Sequence, residues 1–233
     1  MKLRTKDFTA IFTSKFPVNL ELLSKGGNTH MTISLQKGQR IDLTKGNSSL
    51  NQIQVGLGWD PVKQSSGGGL LSGLFGGGNK GANVDCDASV IMLQNDKFVH
   101  KDDLIYFGNL KSSCNSVRHS GDNLTGDGDG DDEVIVVDLK SVPSKYNRLI
   151  FVVNIYDCVN RKQDFGMIQN AYIRIVNPQT KAELTRFNLS DNYGGLTTLV
   201  TGEIYRHNGE WKFGAIGDGT TDRNLSEIVR KYQ

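Results

Sequence analysis

From Met31 onward the apolar residues come in short runs that alternate with polar ones, and turn-forming residues close each run. A two-residue period of this kind builds half-buried strands and leaves almost no stretch free for helix. Ile33, Leu35, Ile41 and Leu43 flank a turn at Lys37-Gly38, and Ile53, Val55 and Leu57 alternate up to Gly58-Trp59-Asp60. Asp85 to Leu93 follows, then Leu104 to Phe107 after the Asn95-Asp96 turn signal. Val134 to Leu139 and Leu149 to Tyr156 are rich in β-branched residues and are separated by Val142-Pro143, so both read as central strands buried on both faces or nearly so. Ala171 to Val176, Glu183 to Leu189, Leu199 to Arg206 and Glu210 to Ile216 complete the series, the last two joined across Asn208-Gly209, a strong hairpin signal. Only Leu225, Ile228, Val229 and Tyr232 recur at helical spacing. The expectation is an all-β chain: an antiparallel β-sandwich of two sheets with long acidic loops and a short C-terminal helix.

One of those loops carries an unusual charge load. Gly121 to Glu133, GDNLTGDGDGDDE, contains six carboxylates and no base, against a net charge of +2 for all 233 residues. Two carboxylates about 4 Å apart repel by roughly 1 kcal/mol in water and about 4 kcal/mol at a protein surface of lower effective dielectric. Oxygen ligands alternating with glycine suit a hard cation, because calcium takes about six to eight oxygens and glycine lets the chain curl round it. The EF-hand frame is met only in part. Asp127, Asp129 and Asp131 occupy its first, third and fifth positions, but the sixth is Asp132 where that loop needs glycine, and the twelfth, Asp138, lies inside a strand. Magnesium fits less well, since it demands a tight octahedron and keeps its waters. The plain alternative is a solvated acidic loop.

Further carboxylates stand at strand ends. Asp60 closes one strand and Asp157 another, while Asp85, Asp87 and Ser89 share one face of a third, with Cys86, Ala88, Val90 and Met92 on the opposite face. Asp85 and Asp87 could complete a metal site from the side.

Hydrophobic residues at 37% and charged residues at 22% are ordinary for a chain able to bury a proper core. Cys86, Cys114 and Cys158 are odd in number and form no Cys-x-x-Cys pair, which points to free thiols in a reducing compartment. No apolar run reaches the roughly 18 residues needed to span a bilayer, and no secretory signal pattern opens the chain, so the expected location is the cytoplasm.

Residues 1–30 lack the regular pattern, and Lys25-Gly26-Gly27 can be encoded by a purine-rich ribosome-binding sequence just upstream of Met31. The expectation is therefore a leader, or a misassigned start, over 1–30, and a single domain over 31–233. Without residues 1–30 the net charge falls to −1, which removes any case for nucleic-acid binding from a basic isoelectric point. Ser65 to Gly81, SSGGGLLSGLFGGGNKG, reads as a flexible insert. Its apolar tip, Leu70 to Phe75, raises the alternative of insertion into a partner or membrane surface.

The start MTISLQKGQRIDL, GLGWD at Gly56, DCDASVIML at Asp85, HSGDNLTGDGDGDDEVI at His119, FVVNIYD at Phe151, NAYIRIV at Asn170 and GEIYRHNGEWKFGAIG at Gly202 together resemble the TerD family of tellurium-resistance and general stress proteins. The likeness runs from Met31 to about Arg230, the whole regular part of the chain. It implies a two-sheet β-sandwich that binds Ca2+ in its acidic loops, and a cytoplasmic role in resistance to tellurite and other stresses. It also implies association with other proteins of that system near the inner face of the membrane. The calcium role it implies falls on Asp122, Asn123, Asp127, Asp129, Asp131 and Asp132, with Asp60, Asp85 and Asp87 as outlying ligands.

Three classes of function remain in competition. The first is a non-enzymatic calcium-binding module that presents a surface to partners. The second is a metal-dependent phosphoryl-transfer or hydrolytic enzyme, which needs a nucleophile or base in reach of the metal. His119 is read as bracing a loop and not as that base, Ser120 has no nucleophile-elbow context, and His100 and His207 read as solvated. The third is a calcium-dependent membrane-docking module using the apolar tip. Cys86 and Cys158 read as core or turn residues, Cys114 as the most exposed thiol, and Trp59 and Trp211 as packing residues.

Overall fold

The computed structural model describes residues 19–25, 28–62, 84–121, 130–189 and 191–233. In chain order the strands are β1 (Asn19–Lys25), β2 (Asn28–Leu35), β3 (Arg40–Asp42), β4 (Gln52–Pro61), β5 (Cys86–Leu93), β6 (Leu104–Ile105) and β7 (Val117–His119). They continue as β8 (Glu133–Asp138), β9 (Arg148–Ile155), β10 (Ile168–Val176), β11 (Glu183–Asn188), β12 (Thr198–His207) and β13 (Glu210–Thr220). Two short helices, α1 (Cys158–Arg161) and α2 (Leu225–Val229), follow β9 and β13.

The strands form a seven-stranded sheet, β1-β2-β11-β10-β4-β8-β7, and a six-stranded sheet, β3-β13-β12-β9-β5-β6. Every pairing is antiparallel except β2 with β11. The expected sandwich is therefore present, with one parallel pair that arises because β2 and β11 are joined by a crossover and not by a turn. The Lys37-Gly38 turn, with Gly38 at φ +81°, links β2 and β3 but passes the chain from one sheet to the other. β1 lies wholly within 1–30 and pairs with β2, which itself begins at Asn28.

Alternating side chains from both sheets fill the space between them. Ile53, Val55 and Leu57 of β4, with Ile135 and Val137 of β8 and Ile173 and Ile175 of β10, pack against Cys86, Ala88, Val90 and Met92 of β5 and Leu149, Phe151 and Val153 of β9. Trp59 and Trp211 belong to this core, and the Trp211 indole donates to the Leu139 carbonyl. A second, smaller cluster lies on the outer face of the six-stranded sheet, where Ile91, Leu93, Ile150, Val152 and Val200 are covered by Ile228 and Val229 of α2. Burial of side chains this size stabilises by about 1.5–3 kcal/mol each, which fixes so short a helix in place. The Asn224 side chain caps it by accepting from the Glu227 amide.

β9 is buried on both faces, as its composition suggests, because α2 and the smaller cluster cover the second face. β8 is not. Its residues alternate buried and half-buried, so among the described residues only one of its faces is fully covered. Its Val134 and Val136 are β-branched for strand geometry and not for core filling.

Candidate metal centre

Strand direction gathers the sequence-nominated acids at one end of the sandwich. β4 finishes there with Asp60, β8 starts there after Asp131 and Asp132, and β5 starts there with Asp85 and Asp87. Gln169 of β10 faces Asp60, Leu57 faces Glu133, and Cys86 faces Ile155, so the carboxylates come from neighbouring strands in both sheets. Asp122, Asn123, Asp127 and Asp129 lie outside the described residues, but Gly121 and Gly130 on either side of them have φ of +115° and +126°. Only glycine adopts such angles without strain.

The acids do not share one environment. Asp131 projects onto the outer face of β4, where both oxygens accept from Arg174, at 2.7 and 2.9 Å, and one accepts from the Tyr172 hydroxyl at 3.0 Å. Arg174 also pairs with Glu183, which pairs with Arg186, and Arg186 lies 3.9 Å over the Tyr172 ring. The GLGWD segment explains how this cluster fits against a strand. A side chain at Gly56 would fall 2.1 Å from the Asp131 carboxylate, and one at Gly58 would fall 2.5 Å from the Tyr172 ring. The two glycines are the seat of the Asp131 and Tyr172 side chains.

Asp132 is held differently. Its amide extends the β4–β8 ladder to the Leu57 carbonyl, and one carboxylate oxygen accepts from the Trp59 amide at 2.7 Å. Burial pushes its pKa up; the Trp59 amide opposes that, and the negative charges of Asp60, Asp131 and Glu133 add to it. Asp60 accepts from the Asn170 side chain at 2.8 Å, with Asn170 in the left-handed region at a β10 irregularity. Asp85 pairs with Arg161 of α1 at 3.2 Å. Asp87 is buried on the outer face of the six-stranded sheet, on the same side as Ile91 and Leu93 and away from Asp132.

Glu133 was counted in the sequence only as one charge among six, yet it is the acid that joins the sheets. Its side chain is wholly buried; one oxygen accepts from the Ala88 amide and lies 3.3 Å from His119 Nε2. His119 Nε2 is also 3.0 Å from the Ala88 carbonyl, and its Nδ1 accepts from the Gly121 amide. That set of partners places the ring proton on Nε2. Ala88 lies on the side of β5 that β6 does not reach, so Glu133 and His119 supply the pairing that a neighbouring strand would otherwise give. His119 thus braces the loop, as its sequence context suggests. The alternation of Glu133 with Ile135 and Val137 was the available signal that it points inward.

For a cation, the oxygen-only donor set at this end fits calcium chemistry. Asp60, on β4, and Asp132, in the bend before β8, stand where the acidic segment enters β8. Among the described residues alone no three His, Cys, Asp or Glu side chains converge as a ligand set. The other buried carboxylate oxygen of Glu133 has no hydrogen-bond partner, an excess of acceptors over donors that a cation would offset.

The TerD domain model matches residues 31–232. This chain belongs to the TerD family. It is 62% identical over 202 residues to stress response protein SCP2 of Bacillus subtilis (strain 168), covering 87% of this chain and all of that one. It is 45% identical to general stress protein 16U of the same organism, covering 87% and 97% of the two chains. It is 42% identical to tellurium resistance protein TerD of Serratia marcescens, with the same shares covered. A crystal structure of a Streptomyces coelicolor A3(2) homologue of telluride resistance protein TerD superposes with a TM-score of 0.59 at 18% identity, covering 79% of this chain and 98% of that one. At that identity the likeness supports the fold, and the TerD-family sandwich is the one described above. The family places the protein among stress-response and tellurium-resistance proteins.

Proposed function

We propose that this TerD-family protein is a non-enzymatic, calcium-binding stress-response module acting in the cytoplasm. In this reading the bound ion orders the acidic end of the sandwich and so presents a surface to other stress- and tellurium-resistance proteins at the inner face of the membrane. The observation that carries it is the closeness of Asp60, on β4, to Asp132, in the bend before β8, at the point where a segment bearing Asp122, Asn123, Asp127 and Asp129 rejoins the sheet. These residues would hold the ion. Asp131 and Asp85, each answered by an arginine within the chain, shape the loop and α1 instead. Calcium would supply charge neutralisation and a fixed oxygen geometry, with no chemical step.

Two observations favour this over the hydrolase alternative. Both ring nitrogens of His119 are engaged in structure, and the Ser120 hydroxyl accepts from the Val134 amide. No helix among the described residues is long and apolar enough to cross a membrane. The apolar tip that motivates lipid docking lies outside the described residues.

The test is thermal unfolding in chelator, then with calcium or magnesium at matched ionic strength, for the native protein and for Asp132→Asn. An ion at about a hundred times its dissociation constant adds about 2.7 kcal/mol, or roughly 5–10 °C for a domain of this size. A calcium-selective rise that Asp132→Asn loses is the expected result. No rise with either ion overturns the reading.

A further inference from the structure

Large apolar side chains left in water are not spread evenly over this molecule. Among the described residues seven are exposed: Val62, Val99, Phe107, Leu110, Tyr156, Val159 and Met167. Six of them stand at the acidic end. Val62 carries the β4–β10 ladder past Asp60 and Pro61, its amide donating to the Met167 carbonyl. Tyr156 follows β9, and its amide donates to the Asp85 carbonyl. Val159 belongs to α1, whose Arg161 pairs with Asp85, and the Phe107 ring meets that of Tyr156 edge to face at 6.3 Å. The Leu110 carbonyl accepts from the amide of His119, which the acidic segment follows. Only Val99 lies elsewhere, beyond the other end of β5. Single exposed apolar residues are ordinary, but their collection at one end marks an interaction surface.

Bases stand beside them. Lys111 follows Leu110 and bridges across the sheet edge to Arg118, and Lys162 closes α1 three residues after Val159. All three are exposed, and none of them is in an ion pair among the described residues. The six apolar side chains come from four separate stretches of chain. Phe107, Tyr156 and Val159 border one cleft, whereas Val62, Leu110 and Met167 do not line it. A partner helix or strand needs one continuous groove or sheet edge. Apolar side chains on separate loops, with unpaired bases next to them, suit a lipid surface instead. There each apolar group reaches the boundary between headgroups and acyl chains, a tyrosine sits at headgroup level, and the bases meet lipid phosphates.

We propose that this end of the sandwich docks onto an anionic lipid bilayer, with Leu110, Tyr156, Val159 and Met167 entering the headgroup layer and Lys111, Arg118 and Lys162 against lipid phosphates. The proposal rests on the calcium reading above, because without an ion the carboxylates of the acidic end repel the same phosphates. It uses no residue of the glycine-rich insert. Docking of this kind would by itself hold the protein at the inner face of the membrane.

The experiment is co-sedimentation of the full-length protein with vesicles of phosphatidylcholine, alone or mixed with phosphatidylglycerol, in chelator, in calcium and in magnesium. Unfolding midpoints and sedimentation velocity are measured on the same samples without vesicles. The expected result is salt-sensitive pelleting with the mixed vesicles in calcium, and much weaker pelleting in chelator or with phosphatidylcholine alone. Leu110→Ser and Val159→Ser, both at exposed positions, should each weaken binding about fivefold. Lys111→Gln with Arg118→Gln should weaken it about twentyfold together, and Val99→Ser should leave it unchanged. All of these variants should keep the native calcium response of the midpoint, which separates loss of docking from loss of fold or ion. Equal pelleting in chelator or with phosphatidylcholine alone overturns the inference, as does an unchanged affinity in the Leu110 and Val159 variants. Calcium-driven self-association with no pelleting also overturns it, by assigning the same side chains to a protein contact. A calcium-selective rise in the midpoint with no pelleting overturns the docking and leaves the calcium reading standing, whereas no rise and no pelleting fails both.

Discussion

Replacing Glu133 by alanine tests whether the corner between the two sheets is held as the structure shows. The Ala88 amide would lose the acceptor that Glu133 gives it in a buried site, which costs about 1–3 kcal/mol, while His119 Nε2–H keeps the Ala88 carbonyl at 3.0 Å. Loss of the buried γ-methylene adds about 0.8 kcal/mol. Removing a buried charge, one of whose oxygens has no partner, returns part of that. The net expectation is about 2–3 kcal/mol, or roughly 4–12 °C in the unfolding midpoint. Glu133→Gln keeps the shape and one acceptor, so it should cost about 1 kcal/mol or less. Calorimetry in chelator gives the midpoints, and hydrogen exchange at the Ala88 amide gives the local effect, with protection falling more than about tenfold in Glu133→Ala. There is also a pH signature. Burial alone would lower the His119 pKa, but the hydrogen bond and charge of Glu133 raise it above the ordinary imidazole value. Stability from this pair is therefore fully present below the unfolded imidazole pKa and is lost as pH rises through the folded one. Glu133→Gln should flatten that slope. A midpoint for Glu133→Ala within about 1 °C of native, or a glutamine variant as damaged as the alanine one, would refute the reasoning.

Asp131→Asn should destabilise the protein in chelator by about 1.5–3 kcal/mol through loss of charged hydrogen bonds to Arg174. Asp132→Asn should leave chelated stability unchanged or slightly raised while removing the calcium response; denaturant unfolding with and without calcium separates the two. Gly58→Ala should displace the Tyr172 ring and cost about 1–3 kcal/mol, seen as a lower denaturation midpoint with unchanged slope. Of the three thiols, Cys114 should alkylate first under native conditions: partial burial acts to raise its pKa, but hydrogen bonds from Ser112 and Ser116 lower it overall. Burial and the surrounding carboxylates push the Cys86 thiol well up. Peptide mass mapping after brief iodoacetamide treatment checks the order.

The strands were legible because each depends on its own two-residue alternation, and β4, β5 and β9 begin and end within a residue or two of where the pattern places them. What alternation does not encode is the neighbour. β8 and β9 are both β-branched, yet only β9 gains a second buried face, because α2 folds back onto it from some 70 residues away. The same limit applies at the acidic end. Asp131 and Asp132 are adjacent in the chain and chemically equal there, but both lie in the bend just before β8, which gives them different partners. One meets Arg174, 43 residues on, and the other meets the Trp59 amide, 73 residues back. A run of six acids thus reads as one feature in sequence and divides into anchors and candidate ligands once strands are paired.

That division bears on how an ion at this end would reach the rest of the molecule. Asp132 bonds to Leu57 and Trp59 of β4, and the next residue, Glu133, crosses the core to Ala88 of β5. His119, the last residue of β7, completes the same corner from the other end of the acidic segment through Gly121 and Ala88. Both ends of that segment are therefore tied to the edge of the six-stranded sheet through a single residue. A cation that draws the segment inward would tighten this corner, and its removal would load the repulsion among the segment's other carboxylates onto one buried glutamate and one histidine. Calcium dependence should accordingly appear not only in the loop but as altered exchange at Ala88, on the opposite sheet. An ion effect confined to the seven-stranded sheet would show that the corner is structural and isolated from the site.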